Sequence, residues 1–420
     1  MPASLVRSLY SAILLLLTPL LLLRLWRRGR QEPAYRQHWH QRLGFYGTAA
    51  PASLGAVWLH AVSLGEMRTA ALLLAQWRAR EPQLQVLLTC STATGWAEGE
   101  KLCDAQTQLV WLPWDMPGAV RRFYAHFQPR LGLLMETEVW PNLVAQAKRQ
   151  RLPLYLINAR LSAKSLAQAL RLAPLARPTY AALAGVLAQT AGDAQRLRVL
   201  GSPVLAITGN IKFDVQLNAA QIKQAQALKA AWGQPKIITL ASSREGEELL
   251  FLETLAQNAT ALVGLIPMIV PRHPQRFAEI SQLAQQYGWQ ILPRTSFAAN
   301  QAPAAKTLLL GDSMGEMFFY YALSDVALMG GSFAPLGGQN LIEALAAHCP
   351  VVVGPHTFNF ADATELALQA GLAQRAGAMP QALIGALKTA QTQIAPEYFT
   401  QYLQDNQGAV ARILDLLNKM

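Results

Sequence analysis

The sequence predicts an α/β protein of two doubly wound, Rossmann-like domains behind an N-terminal membrane anchor. Three observations carry this. Short apolar runs alternate with longer runs of helical spacing from Val57 onward, and the same grammar restarts after Asp214. The chain has 420 residues, too many for one ordinary core and suited to two domains. It also opens with an uncharged stretch, SLYSAILLLLTPLLLL from Ser8 to Leu23, closed by RLWRRGR.

That stretch falls slightly short of the ~20 residues an untilted helix needs to cross a bilayer. A cleaved signal peptide would end on small residues, and basic residues stand there instead, so an uncleaved anchor over 1–30 is expected. The cluster Arg24, Arg27, Arg28 and Arg30 belongs on the cytoplasmic side, which places everything downstream in the cytoplasm. Pro19 and the short length leave two arrangements open, a spanning helix or one lying in the interface.

Composition narrows the partners. Lys and Arg number 36 against 25 Asp and Glu, a formal charge of +11 that favours anionic ligands. Apart from the arginine cluster the basic residues are scattered, so no nucleic-acid stripe is present and an acidic lipid surface fits better. Three cysteines, Cys90, Cys103 and Cys349, lack metal-ligand spacing and imply no disulfide framework, consistent with a reducing compartment. No HExxH occurs, and His38 and His40 sit beside Arg36 and Arg42 as on a surface.

In the first domain, 31–214, the runs VWLHAV, LQVLLTCST, LVWLPWD, LGLLMET, PLYLINA, GVLAQT and LAITGN read as strands. Near-continuous apolar strands of this kind belong to a parallel sheet covered on both faces. The second domain, 215–395, follows a polar helical stretch from Ala219 to Trp232 and repeats the pattern in KIITLASS, IPMIVP, QILP, KTLLLGD, VALMGGS and PVVVGP. Paired sheets of this sort face each other across a cleft in many nucleotide-sugar enzymes, with ligands at the carboxyl ends of the strands. A last helical run over 396–420 is expected to pack back on the first domain.

Candidate chemistry gathers at strand ends. Glu66, in Ser63-Leu64-Gly65-Glu66-Met67, sits at a helix N-terminus; it reads either as a cap or as a positioned carboxylate. The motif returns as Ser313-Met314-Gly315-Glu316-Met317, which predicts the same strand-to-helix turn used twice. Glu136 and Glu138 follow the buried-looking LGLLM, where carboxylates are costly to desolvate. Strand alternation points at most one of them into a given site; Glu138 suits capping the helix that starts near Pro141, and Glu136 is the functional candidate.

Further on, Arg272 and His273 stand between Pro271 and Pro274 in a stiff turn, either a surface feature or a presentation of guanidinium to phosphate. Gly330, Gly331, Gly337 and Gly338 precede a helix opened by Asn340 and carrying Glu343, a geometry suited to anions or, through the carboxylate, to ribose hydroxyls. No Walker loop, GxGxxG or Asp-x-Asp is present. A phosphate leaving group would therefore rest on Arg272, Lys212 and helix N-termini rather than a metal, which suits a monophosphate.

The ordered motifs HAVSLGE, STATG, METEVWPN, NARLS, TGNIKFD, PRHPQRF, GDSMGE, GGSFAPLGGQN and GPHTFNF, spanning about His60 to Phe360, resemble the 3-deoxy-D-manno-octulosonic acid (Kdo) transferases of Gram-negative lipopolysaccharide synthesis. The resemblance implies a GT-B fold and an enzyme on the cytoplasmic face of the inner membrane, among its phospholipids. That enzyme moves Kdo from CMP-Kdo to a lipid A precursor, lipid IVA, with inversion and without cofactor or metal. It assigns Glu66 as general base, Glu136 and Lys212 as transition-state stabilisers, and CMP contacts to Pro271, Arg272, Met314, Gly315, Glu316, Asn340, Leu341, Ile342 and Glu343. Two positions depart from the family's usual STHEGEE and GGHN: Arg244 and Gln339 replace histidines. The competing readings are another membrane-associated GT-B enzyme using a UDP-sugar, and a non-catalytic nucleotide-binding membrane protein, for which Glu66 would be a helix cap alone.

Overall fold

The computed structural model describes residues 3–47, 53–392 and 394–419. It divides into two compact units, Met1–Asp214 together with Asn406–Met420, and Val215–Asp405.

The sheet of the first unit contains β1 (Val57–His60), β2 (Val86–Cys90), β3 (Thr107–Trp111), β4 (Leu131–Met135), β5 (Leu154–Ala159), β6 (Gly185–Ala188) and β7 (Val204–Ile207). Its order is β3-β2-β1-β4-β5-β6-β7, and every pairing is parallel. Val57 and Leu59 enter one core layer with Leu73 and Trp77, while Ala56 and Trp58 enter the opposite layer with Phe123 and Phe127. Burial of both faces explains why these strands read as continuous apolar runs. The strand order reverses between β1 and β4, and in such sheets ligands gather beyond the carboxyl ends at that reversal.

The second unit repeats the plan with β8 (Lys236–Ser243), β9 (Leu265–Pro271), β10 (Gln290–Pro293), β11 (Thr307–Leu310), β12 (Val326–Met329), β13 (Val351–Val353) and β14 (Ala373–Arg375). The order is β10-β11-β9-β8-β12-β13-β14, again parallel throughout, with its reversal between β8 and β12. The three-residue β14, half exposed and polar, carries no apolar run and was not anticipated.

The carboxyl-terminal helical run is two helices, Pro396–Asn406 and Ala409–Leu417, because Gly408 between them takes φ +88°. The second belongs to the first unit: Val410, Ile413 and Leu414 are buried in its core, and the Asp214 carboxylate accepts from the amides of Gly408 (2.5 Å) and Val410 (2.6 Å). Helix α1 (Ala3–Arg28) also belongs to the first unit and is the one helix among the described residues long and apolar enough to cross a membrane.

Candidate functional site

In the first unit the reversal point is built from the ends of β1 and β4. Helix α2 (Leu64–Arg80) begins immediately after β1, with Ser63 as its cap. The Ser63 hydroxyl oxygen accepts from the Glu66 amide (3.4 Å), and the Glu66 carboxylate accepts from the Val62 amide (2.8 Å). This is a variant of the capping box, in which the glutamate reaches the amide one residue before the cap rather than that of the cap itself. The cap and the positioned carboxylate are therefore the same structure: closing the box fixes the side chain. Burial, then the Glu136 charge beside it, and to a smaller extent that of Glu138, push the Glu66 carboxyl up to about 7 against the opposing Val62 hydrogen bond. An acid of that strength is substantially ionised yet still basic near neutrality, as a general base requires.

Glu136 is buried and adopts φ +57°, which turns the chain as it leaves β4. Its carboxylate pairs with Arg160 at 2.6 Å and Lys212 at 3.1 Å. Lys212 comes from the 3-10 turn Ile211–Asp214, held by Asn158, whose side-chain oxygen accepts from the Ile211 amide at 3.0 Å. The structure thus brings Glu66, Glu136 and Lys212 together from three separate segments.

The expectation for Glu138 is corrected. Alternation does not apply, because the left-handed Glu136 and the bond from the Glu138 amide to the Met135 carbonyl (3.3 Å) make a turn rather than an extended strand. Both carboxylates consequently act on Glu66. Nor does Glu138 cap the following helix, Pro141–Arg149; Asp115 does, accepting from the amides of Asn142 (2.9 Å) and Leu143 (2.7 Å). Glu138 instead accepts from the Trp140 indole (2.9 Å) and stands 3.9 Å from the His60 Nε2. His60, wholly buried at the end of β1, is held at about 3 by burial and is neutral. No apolar pattern marks it as different from a core residue.

In the second unit the ends of β8, β9 and β12 meet. Glu247 was not singled out from the sequence, yet it organises this region: its carboxylate accepts from the amides of Gly331 (2.7 Å), Phe333 (3.2 Å) and Arg244 (2.9 Å). It pins the glycine-rich loop to the turn after β8. Gly330 is obligatory there because a Cβ would overlap the Ser242 carbonyl, and Gly331, Gly337 and Gly338 all have positive φ. Arg272 leaves β9 with its amide bonded to the Ser243 carbonyl (3.1 Å). Burial, followed by the Arg244 and Arg272 charges, lowers the neighbouring His273, which marks a cationic environment suited to an anion. Burial is the main cause of the upward shift of the Tyr321 hydroxyl, and the charges of Glu343 and Arg272 both reach it, the first raising and the second lowering it.

Asn340 precedes a helix of only five residues, Ile342–Ala346; its side-chain oxygen accepts from the Ile342 amide (3.1 Å) and its amide donates to Glu343 (2.9 Å).

The repeated pentapeptide does not adopt one geometry. Ser63 caps a helix that already contains Gly65 and Glu66, whereas Gly315 is left-handed (φ +79°) and the helix Met317–Leu323 starts only after Glu316. Glu316 pairs with Arg294 at 2.9 Å and accepts from the Ser313 hydroxyl, and Gln221 donates to the Gly315 carbonyl (2.9 Å). Met314 is half exposed.

A family model described as 3-deoxy-D-manno-octulosonic-acid transferase (kdotransferase) matches residues 37–215. The chain is 47% identical to a 3-deoxy-D-manno-octulosonic acid transferase of Bordetella pertussis and 33% identical to one of Haemophilus influenzae, covering 98% of each and 98% of itself in both cases. In three dimensions it resembles the UDP-GlcNAc 2-epimerase of Neisseria meningitidis bound to UDP-GlcNAc, at TM-score 0.56 and 15% identity, over 87% of this chain and 100% of that one. That likeness is one of fold, two Rossmann-like units of the GT-B kind.

Proposed function

This chain belongs to the 3-deoxy-D-manno-octulosonic acid (Kdo) transferase family, glycosyltransferases of lipopolysaccharide biosynthesis, and on that premise we propose that it moves Kdo from CMP-Kdo to the lipid A precursor lipid IVA. Transfer proceeds with inversion and without a metal ion, on the cytoplasmic face of the inner membrane. Glu66 is the base. Its carboxylate takes the proton of the acceptor hydroxyl as that oxygen bonds to the anomeric carbon of Kdo. The bond from the anomeric carbon to the CMP phosphate oxygen breaks, and its electron pair leaves with CMP.

Positive charge and fixed donors stabilise that separation. Lys212, held at 3.1 Å by Glu136, supplies positive charge, and Arg272 takes the CMP phosphate. Met314 to Glu316 and Asn340 to Glu343 line the nucleotide. What supports this reading most is the half-buried Glu66, raised to about 7 and held by its own helix start, in a chain of this family.

Purified full-length protein incubated with CMP-Kdo and tetraacylated lipid A precursor should yield a product heavier by Kdo, with release of CMP. Consumption of a UDP-sugar with CMP-Kdo untouched would overturn the proposal.

A further inference from the structure

Helix α1 does not stand away from the folded unit. Its less exposed residues include Arg7, Tyr10, Ser11, Leu14, Thr18, Leu21 and Leu25, a repeat of three and four that makes one continuous stripe. The stripe is anchored at successive heights. The Tyr10 hydroxyl bonds to the Asp115 carboxylate; the Ser11 hydroxyl exchanges hydrogen bonds with the Asn142 side chain at 3.0 and 3.2 Å; Thr18 contacts the Met116 sulfur at 3.8 Å; and Leu25 is buried against Tyr35 and Ala93. From Ser11 to Leu25 the axis runs about 21 Å.

A helix that crosses a bilayer needs apolar surroundings through roughly 30 Å of hydrocarbon. At Tyr10 and Ser11 one side of α1 instead faces the Asp115 carboxylate and the Asn142 side chain, which are part of the folded unit and cannot enter hydrocarbon with it. The opposite side is apolar and open: Leu9, Ile13, Leu16, Leu20 and Leu23 are each about half or more exposed, with Leu16 at 79%. No acidic residue occurs in α1, and Arg24 and Arg27 are exposed at its end. An apolar strip flanked by arginines matches the boundary between acyl chains and acidic headgroups.

Resting on the reading of this chain as membrane-associated, we propose that α1 lies in the plane of an anionic bilayer surface and does not cross it. The covered stripe carries the folded unit, and the open strip enters the leaflet.

The test uses the full chain with spin labels on cysteines placed at exposed positions of one face, Leu9→Cys, Ile13→Cys, Leu16→Cys and Leu20→Cys, each in a Cys103→Ser background because Cys103 is exposed. Immersion depth is measured by oxygen and nickel-chelate relaxation in phosphatidylglycerol/phosphatidylethanolamine vesicles. An in-plane helix gives one shallow depth at all four sites. A progression of depth along the series, about 16 Å between positions 9 and 20, would mean that the helix crosses and would overturn the proposal. Absence of binding to these vesicles would instead sink the membrane-associated reading itself. Equal binding to pure phosphatidylcholine would remove the role of the arginines.

Discussion

In the proposed mechanism Glu66 has two tasks, because the bond that closes the start of α2 also aims the carboxylate proposed as base. A base with its carboxyl near 7 must lose its proton to act, so kcat/KM should rise with pH through about 7 and level off above it. Stability should move the other way. A carboxyl raised from 4.5 to about 7 keeps its proton longer in the folded state, so its stabilising effect is complete below 4.5 and is lost as pH rises through 7. Glu66→Gln keeps an oxygen for the Val62 amide and removes that titration; above pH 8 its melting midpoint should exceed that of the wild type by about 2–4 °C, and a midpoint difference independent of pH would count against the assignment. On the donor side, Arg272→Ala should weaken CMP binding by about 1.5–3 kcal/mol, roughly tenfold to 150-fold in calorimetry. At this scale Glu66, Glu136, Lys212 and Arg272 were visible in the sequence because charged residues stood at the ends of apolar runs. His60 and Glu247 were not. One lies inside a buried strand, and the other does its work through backbone amides that are distant in sequence.

Elements position these residues through turns more than through helices or strands. The Glu247 carboxylate holds three amides of two loops, and removing it leaves the buried Gly331 amide and the part-buried Arg244 and Phe333 amides without this acceptor. Glu247→Ala should speed hydrogen exchange at Gly331 and Phe333 and weaken CMP binding, while leaving exchange in α2 unchanged; unaltered protection of the glycine-rich loop would contradict its role. Such losses cost about 1–3 kcal/mol per unsatisfied group. The strands of both sheets were legible because burial on both faces makes them continuous apolar runs. The turns were harder. Two SxGEM pentapeptides that differ only at their second residue diverge because Ser63 finds the amide of its own helix, whereas Gly315 takes a left-handed conformation and Glu316 is drawn to Arg294. The turn after β4 escaped a strand-period reading for the same reason, a single left-handed residue at Glu136.

At the scale of the molecule, the first unit is completed by the end of the chain. Ending the protein after Gln407 would strip Asp214 of both amide partners and expose the core contacts of Val410, Ile413 and Leu414. Calorimetry should then show a lowered transition for the first unit and an unmoved one for Val215–Asp405; a shift of both together would contradict this division. An apolar periodicity announced a helix here, but its partner depended on an aspartate some two hundred positions earlier, which no local pattern reports. The anchor was likewise legible as apolar, while the polar stripe that ties it to the first unit emerged only once Asp115 and Asn142 were in place. The most direct test of the account as a whole is transfer by Glu66→Gln, measured as the mass of the lipid product from CMP-Kdo and tetraacylated lipid A precursor, with CMP affinity recorded on the same sample. The account predicts no product and CMP affinity equal to that of the wild type; product formed at a rate near the wild-type one would contradict it.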